Sequence, residues 1–402
     1  MGDRATRVRV TGPLAPYVDG FGTMLSECGY TPSSAAGQLQ LMAHVSRWLA
    51  EQGREGNDLV PAVVEEFLAS RRAAGYGQWL SVRGFAPLLG YLREIGVAPL
   101  PPAVVAETPM EVLLTGYRVY LVSERGLSVS TVRNYLQVAD QFVSHILASG
   151  RPALGGLSAA DVNQFVLASC QNPARGSMSL LVVGLRALLR YLQLTGITPT
   201  GLVGAVPNAA CWLATALPKP IGTGEATRLL RSCDLRTAVG RRDVAVLTLL
   251  LRLGLRVSEV AALELSDLEC RHGEILIRGK GRRQERLPLP ADVGDAVAGW
   301  LRRGRPRGCG SQVFTTRLAP HHALSGKAVS AIVRRAADRS GVTASAHQLR
   351  HTAATDLLRA GASLPEVGQI LRHAKLLNTA RYAKVDHAKL RTVAQPWPGA
   401  GR

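Results

Sequence analysis

The stretch HQLRHTAATDLL, residues 347–358, decides how the chain is read. Its apolar residues keep a helical rhythm, yet its opening turn holds His347, Arg350 and His351. Residues three and four apart share a helix face. The three side chains therefore form one cationic or proton-handling cluster. On a basic protein such a cluster is as often a solvated face as a site. The surrounding sequence decides between the two.

The 402 residues carry 48 Lys+Arg against 29 Asp+Glu, a net charge of +19. A polyanionic partner is expected, and nucleic acid is the usual one. The excess is uneven. Residues 1–216 carry 16 basic and 14 acidic residues, whereas residues 217–402 carry 32 and 15. These basic residues interleave with apolar helical patterns, so they belong to a folded domain and not to a tail. No run approaches the ~18 apolar residues of a membrane span. The N-terminus MGDRATRVRV has no apolar signal core behind its arginines. A cytoplasmic protein without a membrane partner is expected. The six cysteines are scattered and form no CxxC pair, so free thiols are expected and a zinc site is not.

The first half repeats itself. GYTPSSAAGQLQLMAHVSRWLAEQG at 29–53 aligns with GLSVSTVRNYLQVADQFVSHILASG at 126–150. LVPAVVEEFLAS at 59–70 aligns with LSAADVNQFVLAS at 157–169, and SVRGFAPLLGYLREIG at 81–96 with LVVGLRALLRYLQLTG at 181–196. The long helix of each copy has a Thr or Ser before it as N-cap and a Gly after it as C-cap. Two copies are too few for a solenoid. Two similar all-α domains of about 100 residues are expected, with linkers at 96–109 and 206–224.

The basic half opens with TGEATRLLRSCD at 223–234, read as a helix with Thr223 at its start and Glu225 in its first turn. The apolar run 244–253 predicts a buried helix that breaks at Gly254, with a second helix restarting in RVSEVAALEL. GEILIRGKGRRQERLPLP, from Gly273, alternates, turns through Gly279-Lys280-Gly281 and alternates again, the pattern of a β-hairpin. Residues 325–392 read as helices.

Taken one at a time these residues are unremarkable: an Arg before a helix, a Lys in a Gly-flanked turn, a Tyr at helical spacing. Their order is specific. Arg256 stands in GLRVSEV, Lys280 in RGKGRRQERLPL, His347 and Arg350 in HQLRHTAATDLL, and His373 and Tyr382 in LRHAKLLNTARYAKVD. This arrangement, over about 106–392, resembles the tyrosine recombinases, the class of phage integrases and Xer proteins. One departure is Arg372, where that family usually has Gly. The C-terminal YAKVDHAKLRTVAQPWPG is similar to recombinases carried by bacterial transposable elements.

The resemblance implies a fold: two all-α, SAM-like helical domains, then a mostly α, mixed α/β catalytic domain with a small β-hairpin sheet. The domains would be an N-terminal helical repeat at 1–105, a core-binding DNA clamp at 106–205 and the catalytic domain at 217–402. It also implies a chemistry. Tyr382 would be the nucleophile, forming a 3′-phosphotyrosyl bond. Arg256 and Arg350 would hold the non-bridging phosphate oxygens. Lys280 would protonate the leaving 5′ oxygen, with His347 and His373 assisting. Glu259, one helical turn after Arg256, would orient a site side chain. His351 is left to packing. Neither metal nor cofactor is implied. The partners implied are double-stranded DNA with specific recombination sites, further copies of the chain in a dimer to tetramer on DNA, and other recombinases acting with it.

Other classes fit less well. A divalent-metal transposase needs converging carboxylates, and no acidic cluster is evident. No GxxxxGK[ST] loop is present for ATP. A type IB topoisomerase would share the nucleophile but not the two helical repeats. The alternatives kept are an Xer-like resolvase of chromosome or plasmid dimers, and a catalytically silent accessory DNA-binding homologue.

Overall fold

The computed structural model describes residues 8–100, 108–150, 154–171, 178–198, 201–208, 220–279, 284–306, 310–372 and Thr379. The chain forms two compact units, one of residues 1–101 with 217–402 and the other of residues 102–216. No helix among the described residues is long and apolar enough to cross a membrane. The described cysteines, Cys28, Cys170, Cys233 and Cys270, are free.

Residues 8–100 contain α1 (Val18–Glu27), α2 (Pro32–Glu51), α3 (Pro61–Ala73) and α4 (Val82–Glu94). The second unit contains α5 (Pro109–Val119), α6 (Val129–Ala148), α7 (Ala159–Cys170), α8 (Met178–Leu194) and the short α9 (Leu202–Ala205). The repeat in the sequence appears as local structure. Thr31 and Ser128 cap α2 and α6, each hydroxyl accepting an N–H from three residues on, Ser34 at 3.2 Å and Thr131 at 3.4 Å. Such caps satisfy backbone donors that the helix leaves open. Gly53 and Gly150 end the same helices with φ of +64° and +81°. Each set of helices closes on its own aromatic centre: Phe21, Phe67 and Phe85 in the first, Tyr117, Phe142 and Phe165 in the second.

The basic half is built around α11 (Ala238–Arg252), preceded by α10 (Thr223–Arg231). Ala245, Val246, Leu247, Leu249 and Leu250 of α11 are fully buried. Each such Leu contributes about 1.5–3 kcal/mol. Packed with this helix are α13 (Ala291–Arg303), α14 (Gly326–Ser340) and α15 (Ala346–Arg359). α12 (Val257–Ala261) and α16 (Leu364–Ile370) are the other helices named among the described residues of this half. α10 starts at Thr223 with Glu225 in its first turn, as expected; Gly222 is the N-cap, and Glu225 accepts the Gly222 N–H at 2.8 Å.

The hairpin is β2 (Glu274–Arg278) and β3 (Gln284–Pro288), antiparallel, with Ile275 opposite Leu287. A short strand the sequence did not suggest, β1 (Leu268–Glu269), pairs with the outer edge of β2. Ile275 and Ile277 face the core, as the alternation requires. Arg278, two residues before Lys280, is held at its base. Its guanidinium lies 2.9 Å from Glu264 and 2.8 Å from the buried Asp267, an ion pair whose angles are not those of a hydrogen bond. The turn itself lies outside the described residues.

Candidate active site

Four of the sequence-predicted site residues are described: Arg256, Glu259, His347 and Arg350. Lys280, His373 and Tyr382 lie outside the described residues. The described four come from two helix starts. Arg256 is the N-cap of α12 and Glu259 its third residue. His347 and Arg350 occupy the first turn of α15, which Ser345 caps by accepting the Gln348 N–H at 3.3 Å.

Gly254 makes the first of these starts possible. It ends α11 with φ of +56°, so the chain reverses and presents Arg256. A side chain there would be strained, since L residues disfavour that region.

The two arginines converge on one turn, at the end of α16. Arg350 donates to the carbonyls of Gly254 and Leu371. Arg256 donates to the carbonyl of Arg372 at 3.1 Å. Consecutive carbonyls thus receive the two guanidiniums. Arg350 is buried, whereas the Arg256 side chain is 39% exposed and open to a ligand.

Glu259 is the carboxylate of the cluster, with 3% of its side chain exposed. One oxygen accepts Arg256 Nη1 at 2.5 Å. The other accepts the Arg256 backbone N–H and Arg372 Nη2, both at 2.8 Å. Burial pushes the Glu259 carboxyl up, but the Arg372 charge and the bonds from Arg256 and Arg372 outweigh it, and the pKa is lowered. Two guanidiniums therefore hold one carboxylate, and a third, that of Arg350, is bonded to the same α16 end. The surplus positive charge suits an anion with oxygens to share among planar donors.

His347 is exposed, and its ring meets that of His351 edge-on, with centroids 4.2 Å apart. His351 is buried. The opening turn therefore divides its labour: Arg350 points to the α12 and α16 ends, while the two imidazoles meet each other.

Arg372 is the residue that reading the sequence did not place in the site. Its only signal was the departure from the expected Gly.

The comparisons with known proteins bear on family and fold. Residues 222–389 match the phage integrase family. A Sinorhizobium fredii protein named integrase/recombinase y4rA is 38% identical over 400 residues, covering 96% of this chain and 95% of that one. The tyrosine recombinase XerD of Mycobacterium tuberculosis is 30% identical over 305 residues, covering 71% of this chain and 96% of that one. Among solved structures, XerH site-specific recombinase bound to its difH substrate covers 73% of this chain and 99% of its own, with a TM-score of 0.55 and 18% identity. Lambda integrase bound to DNA covers 72% and 100%, with a TM-score of 0.53 and 15% identity. These two show the same fold.

Proposed function

The chain belongs to the phage integrase family of tyrosine recombinases, and from that premise we propose that it cleaves and rejoins DNA at specific sites through a 3′-phosphotyrosyl intermediate, in the integration, excision or transposition of a mobile element. The observation that carries this reading is the convergence of Arg256 and Arg350 on the Leu371–Arg372 turn, immediately before His373 and nine residues after that to Tyr382.

The Tyr382 oxygen attacks the scissile phosphorus. A P–O bond to tyrosine forms and the P–O5′ bond breaks. Lys280 gives the departing 5′ oxygen its proton. Arg256 and Arg350 meet the non-bridging oxygens, where negative charge grows as the pentavalent state is approached. His347 assists proton transfer and His373 donates to a phosphate oxygen. The bond energy stays in the phosphotyrosine, so a second 5′-hydroxyl reseals the strand without ATP. Neither metal nor cofactor takes part in these steps.

The partner is double-stranded DNA carrying recombination sites, bound by a dimer to tetramer of this chain. Residues 1–105 and 106–205 serve as SAM-like helical domains, the second as the clamp. Integration or transposition is favoured over Xer-type dimer resolution by length. The S. fredii integrase/recombinase aligns with 96% of this chain, whereas XerD aligns with 71%. A nicked suicide DNA substrate tests the chemistry. The wild-type protein is expected to become covalently linked to the 3′ end, and Tyr382→Phe to bind the same DNA without linkage. An adduct with the Phe variant would remove Tyr382 as nucleophile.

A further inference from the structure

Arg372 has features that a bystander at a turn would not keep. Its backbone φ is +54°, in the left-handed region where glycine is at ease and a long side chain is not. Its guanidinium is buried, with 5% of the side chain exposed. A buried charge is unfavourable unless paired. Its Nε–H finds no acceptor among the described residues. The backbone conformation and the unmet Nε–H are two penalties on one residue, and its buried charge demands a partner; a glycine would carry none of these.

What the residue does in return is specific. Its Nη2 donates to one Glu259 oxygen at 2.8 Å. The other Glu259 oxygen holds Arg256 Nη1 at 2.5 Å. Its own carbonyl accepts Arg256 Nη2 at 3.1 Å. A second donation, from Arg372 Nη1 to the Ile370 carbonyl at 2.7 Å, fixes the side chain against its own turn. Arg256 is gripped on both edges, and both grips run through residue 372. One is the backbone carbonyl, which the left-handed conformation presents. The other is the carboxylate, which the guanidinium steadies.

We propose that Arg372 is a positioning residue for strand cleavage, which aims Arg256 at the scissile phosphate by clamping the Glu259 oxygen opposite to the one that holds the Arg256 guanidinium. The inference rests on the recombinase reading given above. Arg372 itself does not touch the DNA; it acts through Glu259 and Arg256.

The test uses the full chain and single-turnover cleavage of two suicide substrates. One has the natural phosphodiester. The other has a methylphosphonate at the scissile position, which carries no negative charge on its non-bridging oxygen and needs little help from Arg256. Arg372→Gly keeps the carbonyl and relaxes the backbone, so it is expected to fold and bind DNA. On the phosphodiester its cleavage rate should fall by about 10²-fold, the scale of a misplaced catalytic group. On the methylphosphonate it should come within a few-fold of wild type, as should Arg256→Ala. Arg372→Lys, which keeps a cation for Glu259, should retain more phosphodiester activity than the Gly variant. In the Glu259→Gln background, Arg372→Gly should add little further loss.

An equal loss on both substrates would make Arg372 structural and overturn the inference. So would unchanged cleavage by Arg372→Gly, or full additivity with Glu259→Gln. If wild type forms no adduct on either substrate, it is the recombinase reading that fails. Circular dichroism melting and a gel-shift assay on each variant keep a folding defect apart from these outcomes.

Discussion

Arg350 donates from the first turn of α15 to the carbonyl of Gly254, two residues before Arg256. The two arginines are thus linked through the break between α11 and α12. A Cβ on residue 254 would lie 2.6 Å from Leu371 Cδ2 and 3.2 Å from Ala353 Cβ, on a backbone with φ of +56°. Gly254→Ala must therefore shift either the turn or its neighbours. Backbone strain and overpacking together are expected to destabilise the catalytic half by about 2–5 kcal/mol. Cleavage should fall further than stability alone explains, because the shift moves the carbonyl that holds Arg350. Urea unfolding and adduct formation, measured on the same preparation, check both parts.

Glu259 makes a prediction in pH. Its folded pKa is depressed. A depressed carboxylate stabilises the fold above its unfolded pKa, and that contribution is lost as pH falls through the folded value. Glu259→Gln removes the charge while keeping the shape. Wild type should exceed this variant in stability at neutral pH, by up to roughly 3 kcal/mol for a broken buried pair. The gap should begin to narrow near the ordinary carboxylate range and close below the lowered folded value. Melting temperatures of both proteins from pH 7 downward test this. A gap that stays constant with pH would count against the ionised pair.

Lys280 is the proposed proton donor to the leaving oxygen. Lys280→Ala should cut cleavage of ordinary DNA strongly. A substrate with a 5′-bridging sulfur has a leaving group that needs little protonation, so it should largely restore the rate. Equal defects on both substrates would remove the general-acid role. Arg278→Ala, which frees the base of β2 from Glu264 and Asp267, should give the same pattern in weaker form, since the hairpin then aims its turn less well.

Residues 1–106 carry nine Arg and nine acidic residues, so the rest of the chain holds the whole net charge. DNA affinity and its salt slope follow the number of phosphates neutralised. Deleting this segment is expected to leave most single-site affinity and slope intact while weakening synapsis and recombination. A salt titration beside a synapsis assay distinguishes the outcomes. A loss of several units of slope would make the segment a DNA reader instead.

The parts of this fold visible in the sequence are those encoded locally. Thr31 and Ser128 announce their helices by capping chemistry, Gly53 and Gly150 end them, and the alternation around Ile275 and Ile277 gives the hairpin. β1 stayed hidden because two residues carry no period. α13 has no side-chain N-cap to announce it. In the site, motif order named Arg256 and Arg350, but it could not say where their guanidiniums go. That depends on the α16 end, more than a hundred residues from Arg256. Arg372 stands out in the sequence only as an exception to a Gly. Its partnership with Glu259 spans 113 residues, and no local pattern contains it.

The anchors of both arginines at the α16 end are peptide carbonyls, at Leu371 and Arg372. Mutation can exchange any side chain but cannot delete a main-chain oxygen. The identity of residue 371 is therefore free to drift within the volume its neighbours allow, while the aim of Arg350 is inherited unchanged. What such drift cannot cross is a change in the path of the chain. An insertion or deletion of a single residue between Val367 and His373 would rotate those oxygens away and disarm both arginines together.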